Sequence, residues 1–482
     1  MAQQNARLGG KLRRLRQSQK LTQAQMAEAL GLSASYLNLL EHNQRAVTVP
    51  VLLKLAQRFG IDIADFTADD DARLTSDLME VFADPLFDGA DLKTADVEEL
   101  IGAAPALGKA VLTLYQAFRA GGSATAAPGG GLAEDGDAPV PVGMPSEEVT
   151  DFIQERKNYF KELEAAADEL WQRAELSADT LYAGLVKTLG EAYAVDVIIA
   201  PAAALGGLLR QYDPRTRKLV LSELLPRPSR TFQLAHQIAL LGQKPLLDRL
   251  VSGGKFTTQE ADTLARVALA NYFAAAVVMP YERFLAAARE TRHDIETLER
   301  RFDTSFEQVC HRLTSLRRPG QQGIPFHLLR VDGAGNISKR FSASGISIAR
   351  FGGACPRWNV YDAFSTPGLL RRQVSRMPEG GSFFCIARTV DGVGRSTLRG
   401  NNARGGGRHA IGLGCAISYA REIVYADGLD LDDPQLITPI GVSCRVCPRK
   451  DCADRAHPSL HHALSLDENR RALATYMSPE GS

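Results

Sequence analysis

The chain has 482 residues, enough for two or three domains of ~100–200 residues each, with 45% hydrophobic and 23% charged residues, ordinary for a globular protein. Lys+Arg and Asp+Glu both number 56, giving a formal net charge of zero. The opening MAQQNARLGG lacks the apolar core of a secretory signal, and the most apolar stretch, Val267 to Pro280, is interrupted by Asn271 and shorter than the ~20 residues that span a bilayer. Seven cysteines, an odd number without export features, argue against a disulfide framework and for reduced thiols or a metal site. The expectation is a cytoplasmic protein with no membrane partner.

Neutral overall, the chain is uneven at its start. Arg7, Lys11, Arg13, Arg14, Arg16, Lys20, Arg45, Lys54 and Arg58 face only Glu28 and Glu41 within residues 1–60. Such a basic end predicts a local polyanion-binding surface. Residues 8–66 read as short helices. In LTQAQMAEALGLSASYLNLLEHNQR (Leu21 to Arg45), Thr22 and Gln25 form a capping box, with Met26, Ala27 and Leu30 on the apolar face of a first helix. Gly31 suits the positive φ of a tight turn, and Ser33 caps a second helix whose Leu37 and Leu40 point inward. This predicts a helix-turn-helix with the second helix in the DNA major groove. Ala34, Ser35, Tyr36 and Asn38 are then left for DNA, with Asn38 suited to adenine, Gln23 to a phosphate, and Arg45 at the end of the set. The pattern resembles the Cro/C1-type (XRE) helix-turn-helix, and places a DNA-binding domain at 1–66.

Residues 67–119 read as a helical connector with an oligomerisation role. Residues 120–146, rich in Gly, Ala and Pro, read as a flexible linker. Residues 147–319 read as mostly helical, with a strand pair near 196–222 (VDVIIA and KLVLSEL) flanking a DPRT turn. They resemble the ImmA/IrrE-type metallopeptidase domain, whose H-E-x-x-H helix corresponds to FQLAHQIALLGQ and whose E-A-N-x-F-A segment corresponds to LANYFAAAVVMP. A zincin needs two histidines four apart, a general-base Glu and a third ligand. Here His236 remains, but Gln237, Leu240 and Leu269 stand at the other positions. Leu cannot bind zinc and Gln cannot take a proton from water, so peptidase chemistry is excluded and no enzyme is expected. His236 is either a core histidine with one ring nitrogen bonded or part of a retained ligand pocket.

Residues 320–482 read as an α+β domain. Cys444, Cys447 and Cys452 form C-x2-C-x4-C, and closely spaced thiolates readily converge on one metal. Cys415, in IGLGC, is the preferred fourth ligand. Three local cysteines plus a distant one, with Pro448 after Cys447, suit an iron–sulfur cluster; Zn2+ on the same four cysteines, or on three of them with His457, competes. Cys310, Cys355 and Cys385 read as buried packing, with Cys355 in GGACPRW as an alternative ligand. Arg395, Arg399, Arg404 and Arg408, with His409, sit among glycines in GVGRSTLRGNNARGGGRHAIGLGC. Guanidinium forks on flexible backbone can hold phosphates, though a solvated basic loop or a DNA contact also fits.

With GGACPRWNVYDAF, RHAIGLGC, VYADGLDL and PIGVSCRVCPRKDCADRAHP, residues 320–480 resemble the C-terminal domain of short-chain fatty acyl-CoA regulators, a family that joins an XRE head, a degenerate ImmA/IrrE-like domain and this cysteine-bearing domain in the present order. The resemblance implies a mainly α protein with an α+β C-terminal part: a transcription factor of short-chain acyl-CoA metabolism, such as propionyl-CoA or methylcitrate genes. It implies a ligand region holding acyl-CoA and a [4Fe–4S] cluster; Arg395, Arg399, Arg404, Arg408 and His236, read above from their own chemistry, are the candidate acyl-CoA contacts. The partners are operator DNA, acyl-CoA and further copies of the chain, with two heads on half-sites about one DNA turn apart. A redox or metal sensor without a metabolite, or a zinc-stapled regulator, is the alternative.

Overall fold

The computed structural model describes residues 8–19, 21–42, 44–45, 47–59, 70–87, 90, 92–124, 144–351, 353–392, 407–462 and 473–476. The chain divides into two compact units, Met1–Tyr115 and Gln116–Ser482.

In the first unit, four short helices, α1 (Gly9–Ser18), α2 (Gln23–Leu30), α3 (Ala34–Glu41) and α4 (Val49–Phe59), enclose Leu12, Met26, Leu30, Leu37, Leu40 and Leu55. The α2–α3 corner forms for local reasons. The Gln25 N–H donates to Thr22 Oγ1 at 3.2 Å, while Gln25 Oε1 accepts the Thr22 N–H at 2.9 Å. Gly31 ends α2 at φ 62°, where a side chain would be strained. Ser33 Oγ then accepts the Tyr36 N–H at 3.1 Å to start α3. Helices α5 (Asp70–Phe82), α6 (Thr94–Ala103) and α7 (Pro105–Ala124) follow. Arg14 joins α1 to α5 through Asp71 at 2.8 Å.

Composition placed the linker's start at residue 120, yet α7 runs on to Ala124 through Gly121 and Gly122. The ~1 kcal/mol helix penalty of each glycine is overridden by an established helix. Residues 125–143 lie outside the described ones, and α8 (Pro145–Glu155) opens the next stretch.

The second unit begins helical: α8, α9 (Lys161–Arg173) and α10 (Leu181–Tyr193) precede β1 (Asp196–Ala200), β2 (Arg210–Asp213) and β3 (Lys218–Ser222). The sheet order is β1-β3-β2. The expected pairing of β1 with β3 across the DPRT turn is corrected: β1 lies parallel to β3, and the turn joins β2 to β3. A connection of only four residues, 214–217, can join only antiparallel neighbours. Asp213 fixes that turn by accepting from the Arg215 N–H and the Thr216 hydroxyl.

Helices α11 (Arg227–Gly242), α12 (Lys244–Ser252), α13 (Gln259–Val278), α14 (Tyr281–Glu290), α15 (Ile295–Phe302) and α16 (Phe306–Thr314) follow. The Val267–Pro280 stretch belongs to α13, which at 20 residues is longer than the sequence suggested and is apolar and long enough to cross a membrane by length and composition alone. Ala265, Leu269, Phe273 and Val277 on it are buried in the protein core. Inside that core Arg312 of α16 meets Glu164 of α9 through paired bonds of 2.6 and 2.9 Å. Its Nε donates to the Met279 carbonyl, and the Tyr272 hydroxyl of α13 donates to Glu164 at 2.6 Å.

The last part is a six-stranded sheet in the order β5-β4-β8-β7-β6-β9. It comprises β4 (His327–Asp332), β5 (Ile337–Ser342), β6 (Arg371–Arg376), β7 (Ser382–Val390), β8 (His409–Ala416) and β9 (Ile437–Pro439), with a short α17 (Asn359–Asp362) packed on it. All pairs are antiparallel except β6 with β9. On one face His327 and Cys385 reach each other across Gly414, Sγ to Nε2 3.5 Å. A Cβ at Gly414 would stand 2.5 Å from the His327 ring and 2.8 Å from Cys385 Sγ, so that position admits only glycine.

In the head, Glu41 is 4% exposed and receives Arg16 at 2.6 and 3.1 Å. Burial works to raise the Glu41 pKa, but hydrogen bonds from Arg16 and Gln23 and the Arg16 charge bring it below the usual carboxylate range. Removing Arg16 strands a buried carboxylate, so Arg16→Met should destabilise the head by about 3–5 kcal/mol. Hydrogen exchange at the Leu37 and Leu40 amides measures this, and a loss under ~1 kcal/mol would contradict it. Because folding lowers the Glu41 pKa, the pair's contribution is full above the unfolded value of ~4.3 and disappears as pH falls through the lower folded value.

Candidate functional site

The first candidate surface lies on α3. Leu37 and Leu40 are fully buried, which leaves Ala34, Ser35 and Asn38 exposed, together with Arg45. Tyr36 is only half-exposed and packs against the head's core, so its ring is partly structural. Gln23 is placed differently from the expectation of a free phosphate contact. Its Nε2 donates to Asn38 Oδ1 at 3.2 Å and to Glu41 Oε2 at 2.8 Å, bracing α2 against α3. The brace fixes the Asn38 amide with its oxygen occupied and its NH2 group turned to other acceptors, which suits adenine N7. Glu41, the buried anchor of this brace, was not singled out from the sequence; a lone Glu on a helix gives no sign of burial.

The second candidate is the former peptidase site on α11 and α13. His236 is buried, with Nδ1 2.9 Å from Asn271 Oδ1. Burial and the neighbouring Arg210 charge push its pKa down to about 4, so the ring is neutral at pH 7. With Nδ1–H donated to Asn271, Nε2 carries a lone pair, and it is buried without a hydrogen-bond partner. Gln237 is also buried and accepts from Arg210 Nη1 at 3.2 Å. The Arg210 pKa is lowered by burial alone, and among the described residues no carboxylate forms an ion pair with it. Leu240 and Leu269 occupy the remaining ligand positions; Leu269 is buried and Leu240 partly so. The base position is thus an amide, two ligand positions are leucines, the retained His236 is a neutral acceptor, and a half-buried cation, Arg210, stands beside them. Sequence reasoning missed Arg210, because LLRQYDP carries no motif and its approach to α11 depends on the β2–β3 pairing.

The third candidate is the cysteine loop. Cys447 is buried, and Cys444 and Cys452 are half-exposed. Arg455, buried in the loop's centre, donates to the carbonyls of Cys444 (2.8 Å), Cys447 (3.2 Å) and Arg449. Ser459 Oγ adds a bond to the Cys447 carbonyl at 2.8 Å, and the Ala456 N–H points at Cys444 Sγ at 3.4 Å. A guanidinium fork thus holds the loop's carbonyls together, and the thiols project from a fixed backbone.

The two candidates for the fourth cysteine lie in different surroundings. Cys415 sits on β8 opposite Phe384, buried in the larger core, with Cys385 and Glu422 as its charge neighbours. Cys355 instead bonds by its N–H to the Val442 carbonyl at 3.0 Å, and the Cys444 and Cys447 thiols add to the burial that raises its pKa. It sits with Cys385 in the core cluster that Val442 packs against. Among the described residues no three His, Cys, Asp or Glu side chains stand in a closed metal-holding arrangement. The donor chemistry fits a sulfur-bound centre: three thiols on a pinned loop, a buried fourth beside them, and a backbone N–H on one sulfur. His457 is exposed.

Of the Gly/Arg segment, Arg395, Arg399 and Arg404 lie outside the described residues. Arg408 is paired with Asp391 at 2.8 Å, and His409 Nε2 lies 3.3 Å from Arg330.

Comparison with known proteins agrees with this architecture. The sequence model described as helix-turn-helix matches residues 12–66, that of the IrrE N-terminal-like domain 191–314, and that of the short-chain fatty acyl coenzyme A regulator, C-terminal, 315–476. The HTH-type transcriptional regulator PrpR of Mycobacterium tuberculosis is 40% identical over 479 residues, covering 98% of this chain and 96% of the relative. RamB of the same species is 40% identical over 474 residues, covering 98% of each. The propionyl-CoA carboxylase regulator of Cereibacter sphaeroides is 41% identical over 471 residues, covering 97% of this chain and 98% of that one. A solved Mycobacterium tuberculosis transcriptional regulator superposes with TM-score 0.65 at 40% identity, covering 70% of this chain and all of that one. The chain therefore belongs to the helix-turn-helix transcriptional regulators of the PrpR and RamB type with a short-chain fatty acyl coenzyme A regulator C-terminal domain, and is a regulator rather than an enzyme.

Proposed function

We propose that this regulator, acting on DNA in the cytoplasm, senses a short-chain acyl-CoA at the remodelled peptidase site and carries an iron–sulfur cluster on Cys355, Cys444, Cys447 and Cys452. Arg210 is the observation that carries the first part: a half-buried guanidinium that meets the neutral Gln237 oxygen and forms no ion pair among the described residues, beside an unpartnered histidine nitrogen. Leaving a buried acceptor such as His236 Nε2 unmet costs ~1–3 kcal/mol, and a half-buried charge without a counter-charge gains from meeting one. A ligand that is anionic at one end and carries amide N–H groups along its length satisfies both. Coenzyme A is such a molecule, with phosphates for Arg210 and pantetheine amides for His236 Nε2. The name of the Cereibacter relative points to propionyl-CoA as the first ligand to try.

A route toward the head starts at α8, the first described element after residue 143. Glu147 pairs with Arg340, Asp151 with Arg350 at 2.5 and 2.9 Å, and Gln154 exchanges two bonds with the Ser342 backbone. The segment from Ser342 to Arg350 runs on to Cys355, so the helix leading out of the sensor is fastened to the strand that leads to the proposed centre. A ligand that favours one placement of this segment over another shifts operator affinity. A cluster at the four thiols would supply electron-transfer chemistry. Cys355 beside Cys444 and Cys447 also supports a second reading, a redox or metal sensor without metabolite.

Titration calorimetry of propionyl-CoA into the full chain should show binding, weakened about tenfold to a hundredfold by Arg210→Gln, in line with ~1.5–3 kcal/mol for a charged hydrogen bond. An unchanged Kd would remove Arg210 from the site, and no heat from any short-chain acyl-CoA would leave the redox or metal sensor. In protein purified without oxygen, Cys355→Ser should lose iron and acid-labile sulfide while Cys415→Ser retains them. The converse pattern would restore Cys415, and stoichiometric zinc without iron would establish the zinc reading.

A further inference from the structure

Arg455 is 5% exposed, and every bond its guanidinium makes ends on a backbone carbonyl: Cys444 at 2.8 Å, Cys447 at 3.2 Å, His457 at 3.4 Å, and Arg449. Its own N–H donates to the Cys452 carbonyl at 3.3 Å, so this one residue touches all three cysteines of the loop. Among the described residues no carboxylate forms an ion pair with it. Asp454, its neighbour in sequence, pairs with Arg357 at 3.3 Å instead. Carbonyl dipoles solvate a buried charge but do not cancel it, and a buried cation without a counter-charge is costly. Holding a loop's carbonyls together does not by itself require a charge, because a neutral amide donates to them as well.

The surrounding sequence has the same bias. Residues 444–455 carry Arg445, Arg449, Lys450 and Arg455 against Asp451 and Asp454. The printed bonds of Arg449 also end on carbonyls, those of Ile440 at 3.4 Å and Arg376 at 3.0 Å. An excess of positive charge wrapped around thiols complements a negative occupant. Neutral thiols bring no charge, and neither does a disulfide. Metal-bound thiolates do: four of them outweigh the charge of Zn2+ and that of a [4Fe–4S] core, so either centre is an anion.

We propose that Arg455 is the counter-charge of the cysteine-bound centre, a positioning residue whose positive charge, beyond its grip on the loop, keeps the metal in place. This rests on the reading that the loop carries a metal, but not on which metal it is, nor on what the sensor binds. A cation beside an anionic centre favours the loaded state over the empty one. Losing the charge therefore loosens the metal, and a different cationic side chain at the same position retains most of the effect.

The test uses the full chain purified without oxygen, with whatever iron or zinc it carries, dialysed for timed intervals against EDTA and followed by elemental analysis. Arg455→Gln keeps a donor for the carbonyls and removes the charge; Arg455→Lys keeps the charge and removes the fork. Arg455→Gln should lose metal about tenfold faster than the parent, and Arg455→Lys within about threefold of it. Arg455→Met, a second neutral side chain, should match Arg455→Gln and replaces it if that variant does not fold, which circular dichroism checks. Neutral variants that retain metal like the parent would overturn the proposal alone. So would an Arg455→Lys chain that loses metal as fast as they do, which would leave Arg455 a mechanical clamp. A parent chain without iron or zinc would overturn the metal-centre reading and this proposal with it.

Discussion

The Arg312–Glu164 pair is the constraint on which the sensor's frame rests. Both side chains are almost wholly buried, at 1% and 2% exposure, and each is satisfied by further partners: the Met279 carbonyl for Arg312 and the Tyr272 hydroxyl for Glu164. Breaking such a pair costs several kcal/mol, because the survivor is a buried charge with nothing to meet it. Three helices, α9, α13 and α16, are thereby held in one arrangement. Tyr272, which completes the pair, follows Asn271, which holds His236. The interaction that fixes the frame therefore also fixes the place of the former peptidase site.

That frame explains how a peptidase-like domain serves a regulator. With α13 fixed, the residues at the metal and base positions are replaced without disturbing the fold. Leu269 adds to the core, Gln237 takes a hydrogen bond from Arg210, and His236 turns neutral. Where peptidases of this fold hold a metal cation, this chain brings in the Arg210 guanidinium, with no ion pair to it among the described residues. The head repeats the device at smaller scale, since Arg16 and Glu41 tie α1 to α3 and Gln23 extends the tie to Asn38. In both units an Arg–Glu pair with a buried carboxylate stands behind the candidate binding residues.

Local chemistry was legible in the sequence, and long-range register was not. Thr22, Gln25, Gly31 and Ser33 specify the helix-turn-helix through bonds to residues two or three away, and the structure shows these bonds. The missing peptidase ligands were equally plain, since substitution at a fixed spacing needs no tertiary information. What the sequence left out shares one cause. Cys355 bonds to Val442, just before the 444–452 loop, and Cys415 pairs with Phe384 on β7; neither placement follows from spacing along the chain. Arg210 reaches Gln237 only once β2 pairs with β3, and the DPRT turn was assigned to the wrong strand for the same reason. Gln23 was read as a phosphate contact because its bonds to Asn38 and Glu41 lie across a helix corner.

Hydrogen exchange of the full chain with and without propionyl-CoA tests most directly whether the former peptidase site is the sensor. The account predicts slowed exchange at residues 209–213, 232–240 and 267–275, where Arg210, His236 and Asn271 lie. Binding accompanied by slowing only in the C-terminal sheet, with those three segments unchanged, would contradict it.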